Sequence, residues 1–322
     1  MPDQLKIPAK QKVVALFGEV LVDVFPDRKV MGGAPFNVAC HLQAFGLHPV
    51  LITRTGNDEM RERLLATMAR LGMDDCGVQN DATHPSGQVT VQMQGKQHRF
   101  EILPDQAYDY IHAGMAHMIA LAVRPQLIYF GTLAQRSATS RRALTALLRS
   151  SKAPRLLDIN LRTPWYDART IERSLHRADI VKMNDDELSV IASALRLADR
   201  SAEEQAAALV RKFDLECLQV TCGDQGAWQL HKDGKKINAE TGSRVQVVDT
   251  VGAGDGFAAV LILGILHNWP ARTMLSRAND FAAALCGIRG ATPDDQNFYA
   301  QFLEEWKKSQ LPKPRTKALC TS

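Results

Sequence analysis

Asp255 and the glycines that precede it, Gly252 and Gly254, are the residues whose types and spacing best suit chemistry. Glycine lacks a Cβ, so a ligand can closely approach the backbone N–H groups of such a turn. The first turn of a helix has unpaired N–H donors and a partial positive charge, which suit an anion. A carboxylate there could take a proton from a hydroxyl while the N–H groups, including that of Ala253, hold a developing negative charge.

The flanking sequence predicts a strand before this turn and a buried helix after it. Residues 244–248 alternate between polar and apolar types, and residues 258–266 form a long apolar run. An acidic first turn also occurs in helices without catalytic roles, because a carboxylate there matches the helix dipole. The turn is not a Walker A loop, since no Lys-Ser or Lys-Thr pair follows, and Phe257 interrupts the dinucleotide-binding glycine pattern.

The composition excludes several classes of protein. The 322 residues are 45% hydrophobic and 23% charged, which suits one large globular domain. The net charge is +4, and no dense run of Lys or Arg indicates nucleic-acid binding. The apolar run at 258–266 is too short to cross a membrane. The six cysteines form no C-x-x-C pair and no secretory segment precedes them, so we expect reduced thiols in a cytoplasmic protein.

Strand patterns alternate with helical patterns through the middle of the chain. The strand patterns lie at 127–131, 156–158, 180–184 and 217–221. This alternation predicts an α/β fold with a parallel sheet covered on both faces, and ligands of such folds bind at the carboxyl ends of the strands. Polar candidates follow three of these strands: Arg162, Asn184 with Glu187, and Thr221 with Gly223 and Gly226.

The N-terminal part of the chain contains a second glycine turn and a hairpin pattern. An apolar strand pattern at 13–17 precedes Gly32 and Gly33, which stand directly before a proline-containing helix start. Residues 87–103 alternate on both sides of a Gly-Lys pair, which predicts a β-hairpin with one solvent-exposed face.

Five motifs together resemble the ribokinase-like (PfkB) family of carbohydrate kinases, and fructokinases most of all. In chain order they are G-G-x-x-x-N at 32–37, D-x-N-x-R at 158–162, N-x-x-E at 184–187, T-x-G-x-x-G at 221–226 and D-T-x-G-A-G-D at 249–255. The family's motifs stand in the same order. The resemblance implies a ribokinase-like three-layer α/β fold with a mostly parallel central sheet and a small β-sheet lid.

The resemblance also implies a domain organisation. One kinase domain would span residues 12–300, with lid segments at about 19–31 and 84–110, and residues 301–322 would be a C-terminal helix end and polar tail. Lids in this family close over the sugar and also serve in dimerisation, so a homodimer through the lid is an expectation.

Roles for the candidate residues follow from the same resemblance. Asp255 would deprotonate a sugar hydroxyl, the N–H groups of Gly252–Gly254 would form an anion hole, and Arg162 would lie near the transferring phosphoryl group. The residues implied for the sugar are Asp23, Gly32, Gly33, Asn37, Arg162 and Asp255. Those implied for ATP are Asn184, Glu187, Thr221, Gly223, Gly226, Gly252 and Gly254.

The implied cofactors are ATP and Mg²⁺. Glu187 would act on Mg²⁺ through a water molecule, because this ion prefers oxygen ligands and keeps several waters. Some family members also use a monovalent cation such as K⁺ near the Asp that corresponds to Asp249, and the sequence leaves this open.

The implied activity is ATP-dependent phosphorylation of a sugar hydroxyl, with D-fructose as the first candidate substrate and fructose 6-phosphate as product. G-E-x-x-x-D at 18–23 and A-Y-D at 107–109 resemble fructokinases, whereas Phe36 is larger than the residue expected there. The alternatives are 2-keto-3-deoxygluconate kinase, ribokinase, and a homologue that binds sugar or nucleotide without chemistry. The intact Asp255 and its glycines favour an enzyme.

Overall fold

The computed structural model describes residues 11–24, 28–94, 97–197, 200–239, 245–293 and 295–308, with the backbone alone for 91–94, 97–100 and 296. The predicted polar tail from Pro312, the Gly-Lys pair of the hairpin and Arg244 lie outside these residues.

A mostly parallel sheet of nine strands, counted within the described residues, forms the centre of the fold. Side by side, its strands are β13 (Lys236–Ala239), β12 (Ala227–His231), β11 (Cys217–Thr221), β10 (Ile180–Asn184), β9 (Arg155–Asp158), β8 (Leu127–Phe130), β1 (Val13–Phe17), β4 (His48–Gly56) and β5 (Val78–Asp81). The pairs of β12 with β11 and with β13 are antiparallel, and the other pairs are parallel.

Helices cover both faces of this sheet. The described helices are α1 (Ala34–Ala44), α2 (Glu59–Leu71), α3 (Ala113–Val123), α4 (Ala138–Arg149), α5 (Ala168–Leu175), α6 (Asp185–Ala194), α7 (Ala202–Phe213), α8 (Ala253–Leu266), α9 (Ala271–Cys286) and α10 (Gln296–Lys308). Helices α3 to α7 contribute to one apolar cluster, and α1, α2, α8, α9 and α10 contribute to a second.

Strand β1 shows why the central strands are uniformly apolar. Val13, Ala15 and Phe17 pack into the first cluster, whereas Val14 and Leu16 pack into the second. Successive side chains of a strand point to opposite faces, so a strand covered by helices on both sides is apolar throughout. Among the described helices, none combines the length and the apolar character of a membrane span.

A smaller, separate sheet is built from two stretches of the N-terminal half. Its strands lie in the order β3 (Lys29–Gly32), β2 (Leu21–Val24), β6 (Gly87–Gln94) and β7 (Gln97–Ile102). Strands β6 and β7 pair as an antiparallel hairpin, as their alternation predicts. The fold class expected from the sequence is therefore confirmed: an α/β protein with a large, mostly parallel sheet and a small additional sheet.

The strand predicted immediately before the Gly252 turn is wrong for its described residues, 245–248. Val247 and Val248 are 64% and 58% exposed, and the Val248 N–H donates to the Cys286 carbonyl at the end of α9. Alternation alone cannot identify a pairing partner, and the sheet ends at β13. The segment is consequently a loop attached to α9.

Helices α8 and α9 pack closely at Gly256. A Cβ on Gly256 would lie 2.2 Å from Leu285 Cδ1 and 3.1 Å from Phe281 Cε1. We expect Gly256→Ala to lower the free energy of unfolding by about 1–3 kcal/mol, because an overpacked core must shift to relieve the contact. Urea denaturation measures this change.

Gly114→Ala is the matched control. Gly114 is exposed in the first turn of α3, and a Cβ there would meet only the exposed His112 ring, at 3.1 Å. Alanine is the better helix former, so we expect this substitution to leave stability equal or higher by up to about 1 kcal/mol. Equal losses in the two variants would contradict the close packing of α8 against α9.

Candidate active site

The N-terminus of α8 carries Asp255 in its first turn. Gly252 caps the helix with φ of 82°, and a Cβ there would lie 2.5 Å from Ala291 Cα, so glycine alone suits this position. Within the described residues, the N–H groups of Gly252 and Gly254 have no hydrogen-bond acceptor, whereas that of Ala253 donates to the Thr250 carbonyl at 3.3 Å. The turn therefore presents unpaired donors beside a carboxylate.

A hydrogen bond joins this turn to the first glycine motif. The Asn37 amide in α1 donates to Asp255 Oδ2 at 2.8 Å. Helix α1 starts after Gly33, whose φ is 102° and where a Cβ would lie 2.7 Å from the Glu19 carbonyl oxygen. The glycine thus allows the turn between β1 and β2 to approach the start of α1.

The surroundings of Asp255 change its acidity. Asp255 is partly exposed, but burial of its carboxyl raises the pKa to about 6. The bond from Asn37 opposes this rise, the Asp158 charge adds to it, and Lys182 and Arg162 reduce it. A carboxyl with this pKa is mostly ionised at neutral pH and is a stronger base than an ordinary aspartate.

A buried ion pair that the sequence analysis missed lies directly behind Gly254. Lys182 Nζ donates to Asp158 Oδ1 and Oδ2 at 3.0 and 3.2 Å, and the Tyr129 hydroxyl donates to Oδ2 at 3.1 Å. A Cβ on Gly254 would lie 3.2 Å from Lys182 Nζ. Burial alone would lower the pKa of Lys182, but Asp158 and Glu187 raise it above its ordinary value, so the ammonium stays charged.

The Asn184 and Glu187 side chains cap α6 and hold the loop that carries Arg162. Asn184 Oδ1 accepts from the Glu187 N–H at 2.7 Å, and Glu187 Oε2 accepts from the Asn184 N–H at 2.9 Å, which is a capping box. Glu187 Oε1 accepts from the Leu161 N–H at 2.8 Å. Arg162 itself is exposed, and its charge opposes the burial-driven rise of the pKa of Asp23.

Asp23 and Gly32 lie close together in the small sheet. Asp23 lies in β2, partly buried, and burial raises its pKa. A Cβ on Gly32, the last residue of β3, would lie 3.8 Å from Asp23 Oδ2. Asp23, Gly32 and Gly33 thus lie together on the small-sheet side, and Gly33 leads into the helix of Asn37.

Thr221 stands beside Asn184 at the carboxyl edge of the large sheet. The two residues are register partners of the parallel strands β10 and β11. The Cys222 N–H then donates to the Gly226 carbonyl at 2.8 Å, and Gly223 and Gly226 have φ of 56° and 90°. The glycines therefore allow a tight loop next to the cap of α6.

Asp249 connects the loop before α8 to the loop after α9. Its Oδ1 accepts from the Val251 N–H and its Oδ2 from the Gly290 N–H, each at 3.1 Å. The part of the chain that the structure describes holds no group of three or more His, Cys, Asp or Glu side chains arranged to bind a metal ion.

Comparison with known proteins decides the family. The family described as pfkB family carbohydrate kinase matches residues 3–297 of this chain. The chain belongs to the pfkB family of carbohydrate kinases. Its sequence-based assignment to this family is confirmed.

This carbohydrate kinase is similar in sequence to plant fructokinases and similar in fold to solved structures of sugar kinases. Fructokinase-2 of Oryza sativa subsp. japonica is 27% identical over 315 residues, covering 88% of this chain and 91% of that protein. A fructokinase with bound ATP from Xylella fastidiosa shares the fold, with a TM-score of 0.81 at 19% identity over 92% of this chain and 99% of that one. The structure of an uncharacterized sugar kinase from Pyrococcus horikoshii, PH1459, in complex with ATP has a TM-score of 0.73 to this chain. The two are 25% identical, and the match covers 86% of this chain and 93% of that one.

We predict that the acid limb of kcat/KM for this kinase lies near pH 6 and moves to higher pH in Asn37→Ala. A general base works deprotonated, so with Asp255 in that role we expect activity to fall as pH drops through its pKa of about 6. The Asn37 amide stabilises the ionised carboxyl, so its loss raises that pKa further. A pH–rate profile of the best sugar substrate measures the shift.

Asn238→Ala, at an exposed position of β13, is the control for this profile and should leave the limb in place. An Asn37→Ala limb that coincides with that of the unmodified enzyme would mean that the amide does not tune Asp255.

Lys182→Met should lower the free energy of unfolding by about 3–5 kcal/mol, because it leaves Asp158 buried without its ion-pair partner. Lys182→Met combined with Asp158→Asn removes both charges and should recover most of that loss. Urea denaturation compares the two. An equal loss in the single and double variants would assign the cost to packing rather than to the unpaired charge.

Proposed function

We propose that this carbohydrate kinase transfers the terminal phosphoryl group of ATP to a sugar hydroxyl, most favourably that of D-fructose to give fructose 6-phosphate. The observation that carries the proposal is Asp255 beside the unpaired N–H donors of Gly252 and Gly254, linked to α1 through Asn37. The fructokinase name of the rice relative supports fructose as the acceptor.

Asp255 is the proposed general base. Its carboxylate takes the proton of the attacking hydroxyl, whose oxygen then forms a bond to the phosphorus while the bond to the leaving ADP oxygen breaks. A pKa of about 6 leaves the carboxyl ionised at neutral pH and able to accept that proton. Asn37 fixes one carboxylate oxygen, which leaves the other for the sugar.

The backbone N–H groups of Gly252 and Gly254 are the proposed anion hole. Phosphoryl transfer depends mainly on positioning and charge stabilisation, and donors fixed in advance stabilise the moving group without reorganisation. The Ala253 N–H, also expected there, is engaged with Thr250 and would contribute less. Arg162 on its exposed loop supplies positive charge that acts on Asp255, whereas the charge of Lys182 behind Gly254 is balanced by Asp158.

The proposed ATP side of the site is the edge formed by Asn184, Glu187, Thr221, Gly223 and Gly226. Magnesium bound to ATP would neutralise phosphate charge. Glu187 fits an indirect role, since each of its oxygens accepts one N–H and keeps a lone pair for a metal-bound water.

The monovalent-cation role of Asp249 remains our proposal as well. Its two oxygens already accept one N–H each, so a cation there would share a carboxylate that also joins two loops.

The domain limits of 12–300 and the lid role of the small sheet remain proposals. Asp23 in β2 would place a side chain that binds the sugar on the small sheet itself. Closure of this sheet over the sugar would exclude water from the reaction. A homodimer through this sheet would follow the family's use of such lids. A cytoplasmic location fits the use of ATP and the free thiols of the described cysteines.

An ADP-release assay with MgATP and fructose, ribose, 2-keto-3-deoxygluconate, glucose or fructose 6-phosphate tests the proposal. We expect turnover of fructose, and a loss of about 10²–10⁴-fold in kcat for Asp255→Asn, because the base is removed with little change of shape. Asp233→Asn, an exposed carboxylate distant in sequence, is the control and should retain full activity.

Undiminished turnover in Asp255→Asn would show that the base is misassigned. Turnover of another sugar in place of fructose would correct the substrate, and no turnover with any sugar would favour the non-catalytic homologue.

A further inference from the structure

Three arginines lie between α4 and α5 and take no part in the proposed mechanism. They are Arg141 in α4, Arg173 in α5 and Arg177 in the turn after α5, and each is partly buried. Both helices pack into the first apolar cluster, whereas α8 packs into the second, on the other face of the large sheet. The arginines thus lie across the sheet from the helix that carries Asp255.

The buried side chain of Gln135 brings two of the arginines together. The Gln135 carbonyl accepts from Arg141 Nη1 at 2.6 Å, and its Oε1 accepts from Arg177 Nη1 at 3.5 Å. Thr145 Oγ1 accepts from Arg177 Nη2 and donates to the Arg141 carbonyl, each at 2.8 Å. The Gln135 amide is fixed in turn, because its Nε2 donates to Ser174 Oγ at 2.9 Å. Neutral groups therefore hold the two guanidinium groups close to each other.

Arg173 lies one helical turn before Arg177 and has the fewest partners of the three. The Arg177 N–H donates to the Ser174 carbonyl, so the helical turn continues past α5, and residues four apart on a helix are neighbours. Arg173 Nε is shielded from solvent, and within the described residues it has no hydrogen-bond partner. Buried polar atoms are almost always paired, so this donor calls for an acceptor that these residues do not supply.

The carboxylates closest in sequence are engaged elsewhere. Glu172 forms an ion pair with a lysine of α7 at 2.8 Å, and Asp167 Oδ1 caps α5 by accepting from the Thr170 N–H at 2.7 Å. Asp179 Oδ2 accepts from the Arg155 N–H at 2.8 Å. In the part of the chain that the structure describes, no carboxylate forms an ion pair with any of the three arginines. Three positive charges therefore lie together without a counter-ion.

These positive charges repel one another. Burial lowers the pKa of Arg177, and the charges of Arg173 and Arg141 lower it further. Burial and the Arg173 charge also lower the pKa of Arg141, an effect that the Asp167 charge opposes. Arginine nevertheless stays protonated at neutral pH, so the repulsion persists until an anion binds.

We propose that Arg141, Arg173 and Arg177 bind a small phosphate-bearing anion, either inorganic phosphate or a phosphomonoester. The planar guanidinium matches phosphate oxygens with paired N–H donors, and the negative charge of the anion offsets the repulsion. Arg173 Nε and the N–H groups that Gln135 and Thr145 leave unused are the available donors. The partial burial of all three side chains favours a small anion over an extended polyanion.

The test is titration calorimetry with inorganic phosphate replacing chloride at constant ionic strength, without ATP or sugar. We expect saturable binding to the unmodified protein. The dissociation constant should rise by about 10–100-fold in Arg173→Met, because charge-assisted hydrogen bonds are lost. Arg173→Lys keeps the charge without the planar pair of donors and should bind with intermediate affinity.

A parallel titration with glycerol 3-phosphate distinguishes the two sources of the anion. Tighter binding of this ester would identify a phosphomonoester as the ligand, and tighter binding of inorganic phosphate would identify the free ion. Thermal unfolding without phosphate checks that Arg173→Met folds, and Arg173→Lys carries the comparison if it does not.

Arg63→Met, at an exposed position of α2, is the matched control and should bind phosphate as the unmodified protein does. Unchanged affinity in Arg173→Met would place the anion elsewhere, for example at the turn of Gly252 and Gly254, and would overturn the inference. It would also be overturned by an equal loss in Arg63→Met, or by the absence of phosphate binding to the unmodified protein. None of these outcomes depends on kinase activity.

Discussion

The hydrogen bond between Asn37 and Asp255 constrains the whole arrangement, because each residue lies in the first turn of its helix. Both helices begin after a glycine with positive φ, Gly33 and Gly252, and both contribute to the same apolar cluster. Two helix N-termini with unpaired N–H donors and partial positive charge therefore converge on one carboxylate. This geometry places a carboxylate and unpaired N–H donors together without a cluster of exposed cations.

The charged side chains around Asp255 are fixed in position by buried hydrogen bonds and ion pairs. Asp158 lies beneath the site with Lys182 and Tyr129 as partners, and Glu187 ties the Arg162 loop to α6. A buried ion pair contributes little net stability, but the loss of one partner is costly. The pair places the Lys182 ammonium next to Gly254, where Asp158 balances its charge within the interior.

The sequence predicts those parts of the fold and of the candidate site that depend on local sequence pattern. Alternating strand and helix patterns predict the parallel sheet, and the spacing around Asp255 and Asn37 leads to the site through its family resemblance. Lys182 was missed because its position beside Gly254 and Asp158 depends on strand register and on contacts between distant segments. A lysine within the apolar strand 180–184 was a usable signal, since an unpaired charge there would be costly. Residues 245–248 show the converse, because alternation predicts a strand where the described residues form a loop.

The most direct test of the account is a crystal structure with fructose and a non-hydrolysable ATP analogue bound together. We expect a fructose hydroxyl within about 2.6–3.2 Å of the Asp255 carboxylate. We also expect terminal phosphate oxygens about 2.7–3.1 Å from the N–H nitrogens of Gly252 or Gly254. A complex in which fructose occupies the site with every hydroxyl beyond reach of Asp255, or in which the terminal phosphate lies away from this turn, would contradict the central claim.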